Sequence, residues 1–82
     1  MRLPRDISGT DLAALLKRFG YSQTRQSGSH IRLTTFLHGE HHITIPAHAA
    51  LRLGTLSSII SEAARHAGLT KDEVSDQLFQ SK

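Results

Sequence analysis

The sequence contains no cysteine and no long apolar run. Without cysteine, the chain has neither a disulfide framework nor a thiolate metal site, and it suits a reducing compartment. Its longest apolar run, residues 12–16, is far shorter than the roughly 20 residues that cross a bilayer. The N-terminus lacks the apolar segment of a secretory signal. We therefore expect a cytoplasmic protein with no membrane span and no signal peptide.

The chain is also short, and this limits its architecture. Its 82 residues are enough for one domain, which we expect to span residues 1–82, without repeats or linkers. A chain of this length buries only about 60–65% of the surface that its unfolded form exposes. Single core positions should therefore matter for its stability.

Charge is unevenly distributed along the chain. Residues 1–58 carry a net charge of +4, whereas residues 59–82 carry a net charge of −1. A basic body with a mildly acidic tail suits a polyanionic partner such as a nucleic acid. The overall charge of +3 is equally ordinary for solubility alone. Six histidines in so short a chain are more unusual.

Apolar periodicity predicts helices near both ends of the chain. Residues 8–20 begin with the N-cap candidate Ser8 and end at Gly20, which suits a left-handed cap. A second helix is predicted from Thr55, as its N-cap, to Gly68, and a short last helix follows. A capping box opens that last helix, formed by Thr70, Lys71, Asp72 and Glu73. The predicted core-facing side chains are Leu12, Leu15, Leu16, Phe19, Leu56, Ile59, Ile60, Ala63, Ala67, Val74 and Leu78.

Three segments with strand character lie between the two long helices. They are residues 21–26, 30–36 and 41–45. Turn residues 27–29 and a connection at residues 37–40 join them, and Pro46 ends the third before a loop over residues 47–54. Links this short predict an antiparallel meander.

The order of these elements predicts an α+β fold. It consists of two layers, α-β-β-β-α with an antiparallel three-stranded sheet, plus a short C-terminal helix. The apolar residues of the strands should face both long helices, which leaves the other sheet face in water. That open face would carry His30, Arg32, Thr34, His42 and Thr44. A basic, hydroxyl-bearing face suits a nucleic acid, although any two-layer domain has a polar outer face.

Three motifs resemble one known family. The first is the run Leu3-Pro4-Arg5-Asp6-Ile7-Ser8-Gly9, followed by Phe19-Gly20-Tyr21. The second is Arg25-Gln26-Ser27-Gly28-Ser29-His30-Ile31-Arg32-Leu33, and the third is Ile43-Thr44-Ile45-Pro46 with His48, Gly54-Thr55-Leu56 and Ile59. Together they span about residues 3–68 in the order and spacing of HicA-type mRNA interferase toxins, which this chain resembles.

The resemblance implies a double-stranded-RNA-binding-like fold and cleavage of messenger RNA with little sequence preference. It also implies neutralisation by a HicB-type antitoxin, and it makes His30 the catalytic residue. The sequence departs from the family at Ser27, where a basic residue is frequent, and in its histidine-rich hairpin 38–42. These departures bear on RNA affinity or pH response and leave the Gly-Ser-His motif intact.

The chemistry of RNA cleavage suits the motif around His30. A base must take the proton of a ribose 2′-hydroxyl and an acid must protonate the departing 5′-oxygen, and imidazole can do either near neutral pH. Gly28 and Ser29 are small enough to let an RNA backbone approach. Apart from the resemblance, a surface histidine that follows a turn is the more ordinary interpretation of His30. We expect no cofactor.

Other residues are candidates for holding RNA. Arg25 and Arg32 could bind phosphates, or they could be ordinary exposed arginines of a sheet. The helix beginning at Thr55 could seat a phosphate, although an N-cap needs no further function. His48 is a candidate second acid–base group or a residue that shapes its loop. Lys17 and Arg18 would offset a helix dipole in any case.

A metal site at the histidines is not favoured. The candidates are His38, His41, His42 and His48. His41 and His42 should point to opposite faces of a strand, and no two histidines are spaced i, i+4 on a helix. We therefore predict no metal ligand.

Three hypotheses for function remain. The chain is an endoribonuclease toxin, an RNA-binding module of the same fold that does not cut, or a domain whose main role is protein–protein interaction. The intact Gly-Ser-His motif favours the first, because a pure binder has no need of a histidine at that position.

Overall fold

A computed structural model describes residues 3–79 of the chain. Residues 1–2 and 80–82, which belong to the predicted domain and to the charge count, lie outside the described residues. The elements in chain order are α1 (Gly9–Leu15), a 3₁₀ turn (Leu16–Phe19), β1 (Ser22–Ser27), β2 (His30–Thr35), β3 (His41–Pro46), α2 (Leu53–Ala67) and α3 (Lys71–Phe79). The predicted α+β order is confirmed.

The first helix has the predicted ends but a tighter last turn. Ser8 Oγ accepts a hydrogen bond from the backbone N–H of Asp11 at 3.0 Å, and Gly20 has the left-handed φ of +83°. The prediction of one α-helix over residues 8–20 is corrected, because its second half is the 3₁₀ turn. Helices commonly tighten in this way at their C-terminal end. The Phe19 carbonyl of that turn accepts a hydrogen bond from Thr35 Oγ1.

The three strands form the predicted antiparallel meander in the order β1-β2-β3. His30, the first residue of β2, lies opposite Ser27 of β1 and Pro46 of β3. Four of the six strand boundaries differ by one residue from the prediction: β1 begins and ends one residue later, β2 ends one residue earlier, and β3 includes Pro46. The predicted starts of β2 and β3 are confirmed. A bulge between Gln23 and Arg25 interrupts the pairing of β1 with β2.

The core lies between one face of the sheet and the helices, as the apolar pattern predicts. The strands contribute Ile31, Leu33, Ile43 and Ile45, none of them more than 1% exposed. They belong to one apolar cluster with Leu12, Leu16, Leu56, Ile60, Val74 and Leu78. The opposite sheet face therefore stays open. Among residues 3–79, no helix is both long enough and apolar enough to cross a bilayer.

The start of the second helix differs from the prediction. Thr55 is not the N-cap: the cap is Arg52, three residues earlier, it makes no side-chain hydrogen bond, and α2 begins at Leu53. The physical reason lies in the preceding loop, where Leu51 is buried and its N–H donates to the Ile7 carbonyl at 2.8 Å. An N-cap side chain is worth only about 1 kcal/mol, so burial of a leucine can outweigh it.

The last helix begins as predicted. The Thr70 N–H donates to Glu73 Oε1 at 2.8 Å, and the Glu73 N–H donates to Thr70 Oγ1 at 3.1 Å. This reciprocal pair is a complete capping box. Arg18 Nη1, at the end of the 3₁₀ turn, donates to the Gln77 carbonyl and so joins α3 to the first helical segment.

Candidate functional site

The Gly-Ser-His motif forms the tight turn between β1 and β2. Gly28 has a φ of +56°, the sign required of the first central residue in a II′ hairpin turn, which glycine supplies without strain. A Cβ at this position would have no neighbouring atom within 4 Å, so the space beside the turn is open. The side chain of His30 follows the turn and is exposed. The motif therefore presents an imidazole at a rigid strand end, with an unobstructed approach.

Backbone hydrogen bonds fix the position of this turn. The Ala47 N–H donates to the Ser29 carbonyl at 2.6 Å, joining the turn to the residues that follow β3. The next residue, His48, accepts at its carbonyl a hydrogen bond of 3.0 Å from the N–H of Gly9. His48 therefore lies beyond the same sheet end as His30, with its backbone anchored to α1 and its side chain exposed.

Two arginines lie side by side on the open sheet face. Arg25 of β1 and Arg32 of β2 are paired in register, and Thr44 of β3 is opposite Arg32 on its other side. Both arginine side chains are exposed. Because Arg32 is two residues from His30 on the same strand, the imidazole and the guanidinium groups project from the same face. The structure thus brings His30, Arg25 and Arg32 together on one basic surface.

One residue of the predicted open face is not accessible. Thr34 lies on that face but is only 4% exposed, so its prediction as an exposed residue is wrong. Thr24, at the bulge of β1, covers it with a hydroxyl contact of 3.0 Å, and His42 Nδ1 contacts it at 2.8 Å. The bulge supplies this cover, since it adds a residue to β1 that alternation alone does not anticipate.

A hydrogen-bonded chain crosses the open face from Thr34 to Glu40. Thr34 Oγ1 lies 2.8 Å from His42 Nδ1, and His42 Nε2 lies 2.8 Å from Glu40 Oε2. These contacts fit a histidine that accepts at Nδ1 and donates at Nε2. They hold the Glu40 carboxylate against His42 rather than leaving it free in solution.

Thr55 is separate from this surface. It lies in the first turn of α2, in the helix layer, and is half-buried. The sheet itself stands between that layer and the open face. Thr55 is thus the one predicted RNA-binding residue that belongs to neither the open face nor its His30 end.

A comparison with protein families identifies the family to which this chain belongs. The family model described as HicA toxin of bacterial toxin-antitoxin matches residues 9–69, most of the chain, including the turn, the sheet and α2. This chain belongs to the HicA toxin family. No curated protein and no solved structure matches it significantly. The predicted relation to HicA-type toxins is thereby confirmed.

In this HicA-family chain, the histidine-rich hairpin divides between the two sheet faces. His41 and His42 point to opposite faces, as predicted: His42 contacts Thr34 on the open face, whereas His41 contacts Tyr21 and His66 on the helix side. Among residues 3–79, no group of three or more side chains is arranged to hold a metal ion. The hairpin histidines instead make defined contacts within the fold.

The sixth histidine, His66, was not singled out by the sequence reasoning. Its Nε2 lies 2.9 Å from the Leu37 carbonyl and 3.0 Å from the Gly39 carbonyl, so it donates to both and fastens the hairpin to α2. Its ring stacks on His41 with centroids 4.4 Å apart. A sequence signal for this role exists, because His66 is three residues after Ala63 and therefore borders the apolar stripe of the helix.

Burial shifts the pKa values of Tyr21 and His41, which contact each other on the helix side of the hairpin. Burial, reinforced by the Glu62 carboxylate, raises the pKa of Tyr21 to about 12. The Tyr21 hydroxyl lies 2.7 Å from His41 Nδ1, within hydrogen-bond distance. Burial likewise lowers the pKa of His41, followed in importance by the nearby His66. Among the smaller effects, Glu62 opposes the shift by raising that pKa, whereas His42 and Arg65 lower it further.

We expect the free energy of unfolding to fall in mild acid because of His41. The unfolded chain takes up a proton at the ordinary histidine pKa of 6.5, whereas the folded chain resists it. The contribution of neutral His41 to the free energy of unfolding is therefore complete above pH 6.5. It is lost as pH decreases toward the lower pKa of His41 in the folded chain. Urea unfolding of wild type and His41→Gln from pH 5 to 8 measures it. The variant should have the shallower pH dependence below 6.5, and parallel curves would contradict this expectation.

Proposed function

We propose that this toxin is an endoribonuclease that cleaves messenger RNA, with His30 as its acid–base residue. The observation that carries the proposal is the position of His30: an exposed imidazole at the start of β2, on the same open face as Arg25 and Arg32. In a HicA-family chain, this is the arrangement that RNA cleavage requires, since it combines a proton-transfer group with phosphate-binding cations.

The proposed reaction uses the RNA as its own nucleophile. The ribose 2′-oxygen attacks the adjacent phosphorus while the bond from phosphorus to the 5′-oxygen breaks. The 2′-hydroxyl loses its proton to a base, and the departing 5′-oxygen gains one from an acid. The products are a 2′,3′-cyclic phosphate and a free 5′-hydroxyl. His30 performs one of these proton transfers, because neutral and protonated imidazole are both accessible near neutral pH.

The surrounding residues take supporting roles in this proposal. Arg25 and Arg32 neutralise the charge that develops on the phosphate. Gly28 and Ser29 leave room for the RNA backbone at the turn. His48, exposed beyond the same sheet end, is the candidate for the second proton transfer. Thr55, in the first turn of α2, could bind only a more distant phosphate that reaches the helix layer.

A toxin of this family works against an antitoxin partner. We propose a HicB-type protein as that partner, and cytoplasmic messenger RNA as the target. Co-purification of the chain with the product of a neighbouring small reading frame tests the partner. Recovery of the toxin alone, when both proteins are produced together, would contradict it.

The activity itself is tested with purified toxin free of its partner. We expect unstructured RNA to be cleaved in the presence of EDTA, because the proposed chemistry requires only acid–base groups. The products should carry 2′,3′-cyclic phosphate ends, which resist 3′-end ligation until acid opens the cyclic phosphate and a phosphatase removes the resulting monophosphate. Absence of cleavage would overturn the nuclease proposal, and cleavage restricted to samples with added Mg²⁺ would overturn its metal-independent form.

A further inference from the structure

The open face of the sheet carries an aromatic side chain that none of the contacts described above uses. Phe36 follows β2 directly and is 73% exposed, the highest exposure among the large apolar residues of the described chain. By strand alternation it continues the series His30, Arg32 and Thr34 on the open face. An aromatic ring so exposed adds little to the core, and its position beside the basic groups of the open face leaves it available to a partner that has both apolar and anionic parts.

Phe36 lines one end of a shallow groove of about 360 Å³. Arg25 and Arg32 line its other part, and the covered Thr34 forms its floor together with Thr24. A volume of this size lies within the range of small-ligand sites. The groove therefore combines a flat apolar surface with two guanidinium groups, Arg25 from β1 and Arg32 from β2, the strand that begins at His30.

The charges within the groove distinguish its two ends. The arginines attract phosphate, whereas Glu40, which also lines the groove beside His42, repels it. A phosphate is therefore favoured over Arg25 and Arg32, and a neutral, flat group is favoured over Phe36. A nucleotide of a single strand presents these two chemistries side by side, because its base is unpaired and free to stack.

We propose that this groove binds a nucleotide of single-stranded RNA, with the base stacked on Phe36 and its phosphates on Arg25 and Arg32. The inference rests on the proposed function, since it extends the RNA path from His30 along β2. From His30 to Phe36 the strand covers roughly 20 Å, so the stacked base lies several nucleotides from the bond that is cut. Base-paired RNA is disfavoured, because its bases are already stacked within the duplex.

The test measures binding without cleavage. A short, fluorescein-labelled single-stranded oligonucleotide with 2′-O-methyl groups has no free nucleophile and cannot be cut. Phe36→Ala should weaken its binding by roughly 5- to 150-fold, the range for loss of one base–aromatic stack. Phe36→Trp should bind with about the affinity of wild type. Phe36→Leu, which keeps apolar bulk without an aromatic face, should bind more weakly.

Two controls separate stacking from charge and from general surface damage. Inorganic polyphosphate has no bases, so its binding should be unchanged by Phe36→Ala and weakened by Arg25→Gln. Leu37→Ala removes the next exposed apolar side chain, which is 54% exposed and lies on the helix side of the sheet, and it should leave RNA affinity unchanged. Circular dichroism verifies that each variant keeps its fold.

The outcomes distinguish this inference from the nuclease proposal. An affinity of Phe36→Ala within twofold of wild type overturns the stacking site, as does an equal loss with Leu37→Ala. Tighter binding of wild type to duplex than to single-stranded RNA overturns it as well and would indicate a different RNA path. A chain that cuts no RNA but shows the Phe36 dependence retains the binding site and loses only the proposed catalysis.

Discussion

Replacement of His30 by alanine is expected to slow RNA cleavage by about 10²–10⁴-fold, the usual contribution of one acid–base group. The loss should occur in the rate of the chemical step, because His30 is exposed at a strand end and makes no contact that the core depends on. RNA affinity should change little by comparison, since Arg25 and Arg32 remain. Single-turnover cleavage with saturating toxin measures the chemical rate separately from binding.

A matched control removes another exposed histidine from the far end of the sheet. His38 has a left-handed φ of +60°, so asparagine, which tolerates that conformation, is the suitable replacement. His38→Asn should cleave at the wild-type rate. Unfolding curves for both variants should stay close to that of wild type. Equal cleavage by wild type and His30→Ala would remove His30 from the mechanism.

The pH dependence of the wild-type cleavage rate gives a second test of proton transfer by His30. The single-turnover rate should depend on pH whichever proton transfer His30 performs: it should fall toward acid if His30 is the base and toward alkali if His30 is the acid. Each rate is measured at a pH where the protein is verified to be folded, because we expect the protonation of His41 to lower its stability in acid. A flat profile between pH 6 and 8 would argue against proton transfer by an imidazole.

The sequence predicted the layers of this fold because its signals are local and consistent. Alternating isoleucines and leucines in two strands identified the buried face, and the caps at Ser8 and Gly20 located the first helix. Short turns left an antiparallel meander as the only simple connection. From this arrangement alone, His30 and Arg32 could be placed together on the open face.

Features that depend on contacts between distant residues could not be predicted in the same way. The burial of Thr34 depends on the bulge in β1, and the start of α2 depends on Leu51 being held against the Ile7 segment. His66 anchors a hairpin 27 to 29 residues before it in the chain. Each outcome is decided by tertiary packing, which outweighs local preferences worth about 1 kcal/mol.

For the same reason, the sequence predicts only some of the residues that lie near His30. Alternation predicts that Arg32 shares its face, but the neighbouring position of Arg25 follows from the register of β1 with β2. Phe36 belongs to the same alternating series, so the sequence contained its signal. A role for Phe36 could be inferred only from the structure, which shows that the ring lines the same groove as two arginines and a carboxylate.

A large loss of stability is expected when alanine replaces Gly9, where α1 meets the end of β3. A Cβ at this buried position would lie 2.0 Å from the Pro46 carbonyl oxygen and 3.1 Å from the Ala47 Cα. Both are backbone atoms, so no side chain can rotate away to make room. Gly9→Ala therefore forces α1 away from β3 and strains the hydrogen bond from the Gly9 N–H to the His48 carbonyl.

The expected cost of Gly9→Ala is about 3 kcal/mol or more in the free energy of unfolding, the upper range for overpacking. A chain of this size has a total stability of roughly 4–12 kcal/mol, so the loss is a large fraction of it. Urea and thermal unfolding measure the change, and we expect Tm to fall by about 10 °C or more.

The control for this substitution is Gly54→Ala, another glycine in the first turn of a helix. No atom lies within 4 Å of the Cβ it would add, and its φ is not in the left-handed region. Alanine there should stabilise the protein by up to about 1 kcal/mol, because it restricts the unfolded chain and favours helix. A Gly9→Ala variant as stable as Gly54→Ala would contradict the close packing of α1 on β3.

The same substitution connects packing to catalysis. Gly9 touches the segment Pro46 to His48, and that segment holds the turn before His30 through the hydrogen bond from Ala47 to Ser29. Below its Tm, folded Gly9→Ala should therefore cut RNA more slowly than wild type while binding it with similar affinity. A normal cleavage rate in the folded variant would mean that the turn keeps His30 in place without support from α1.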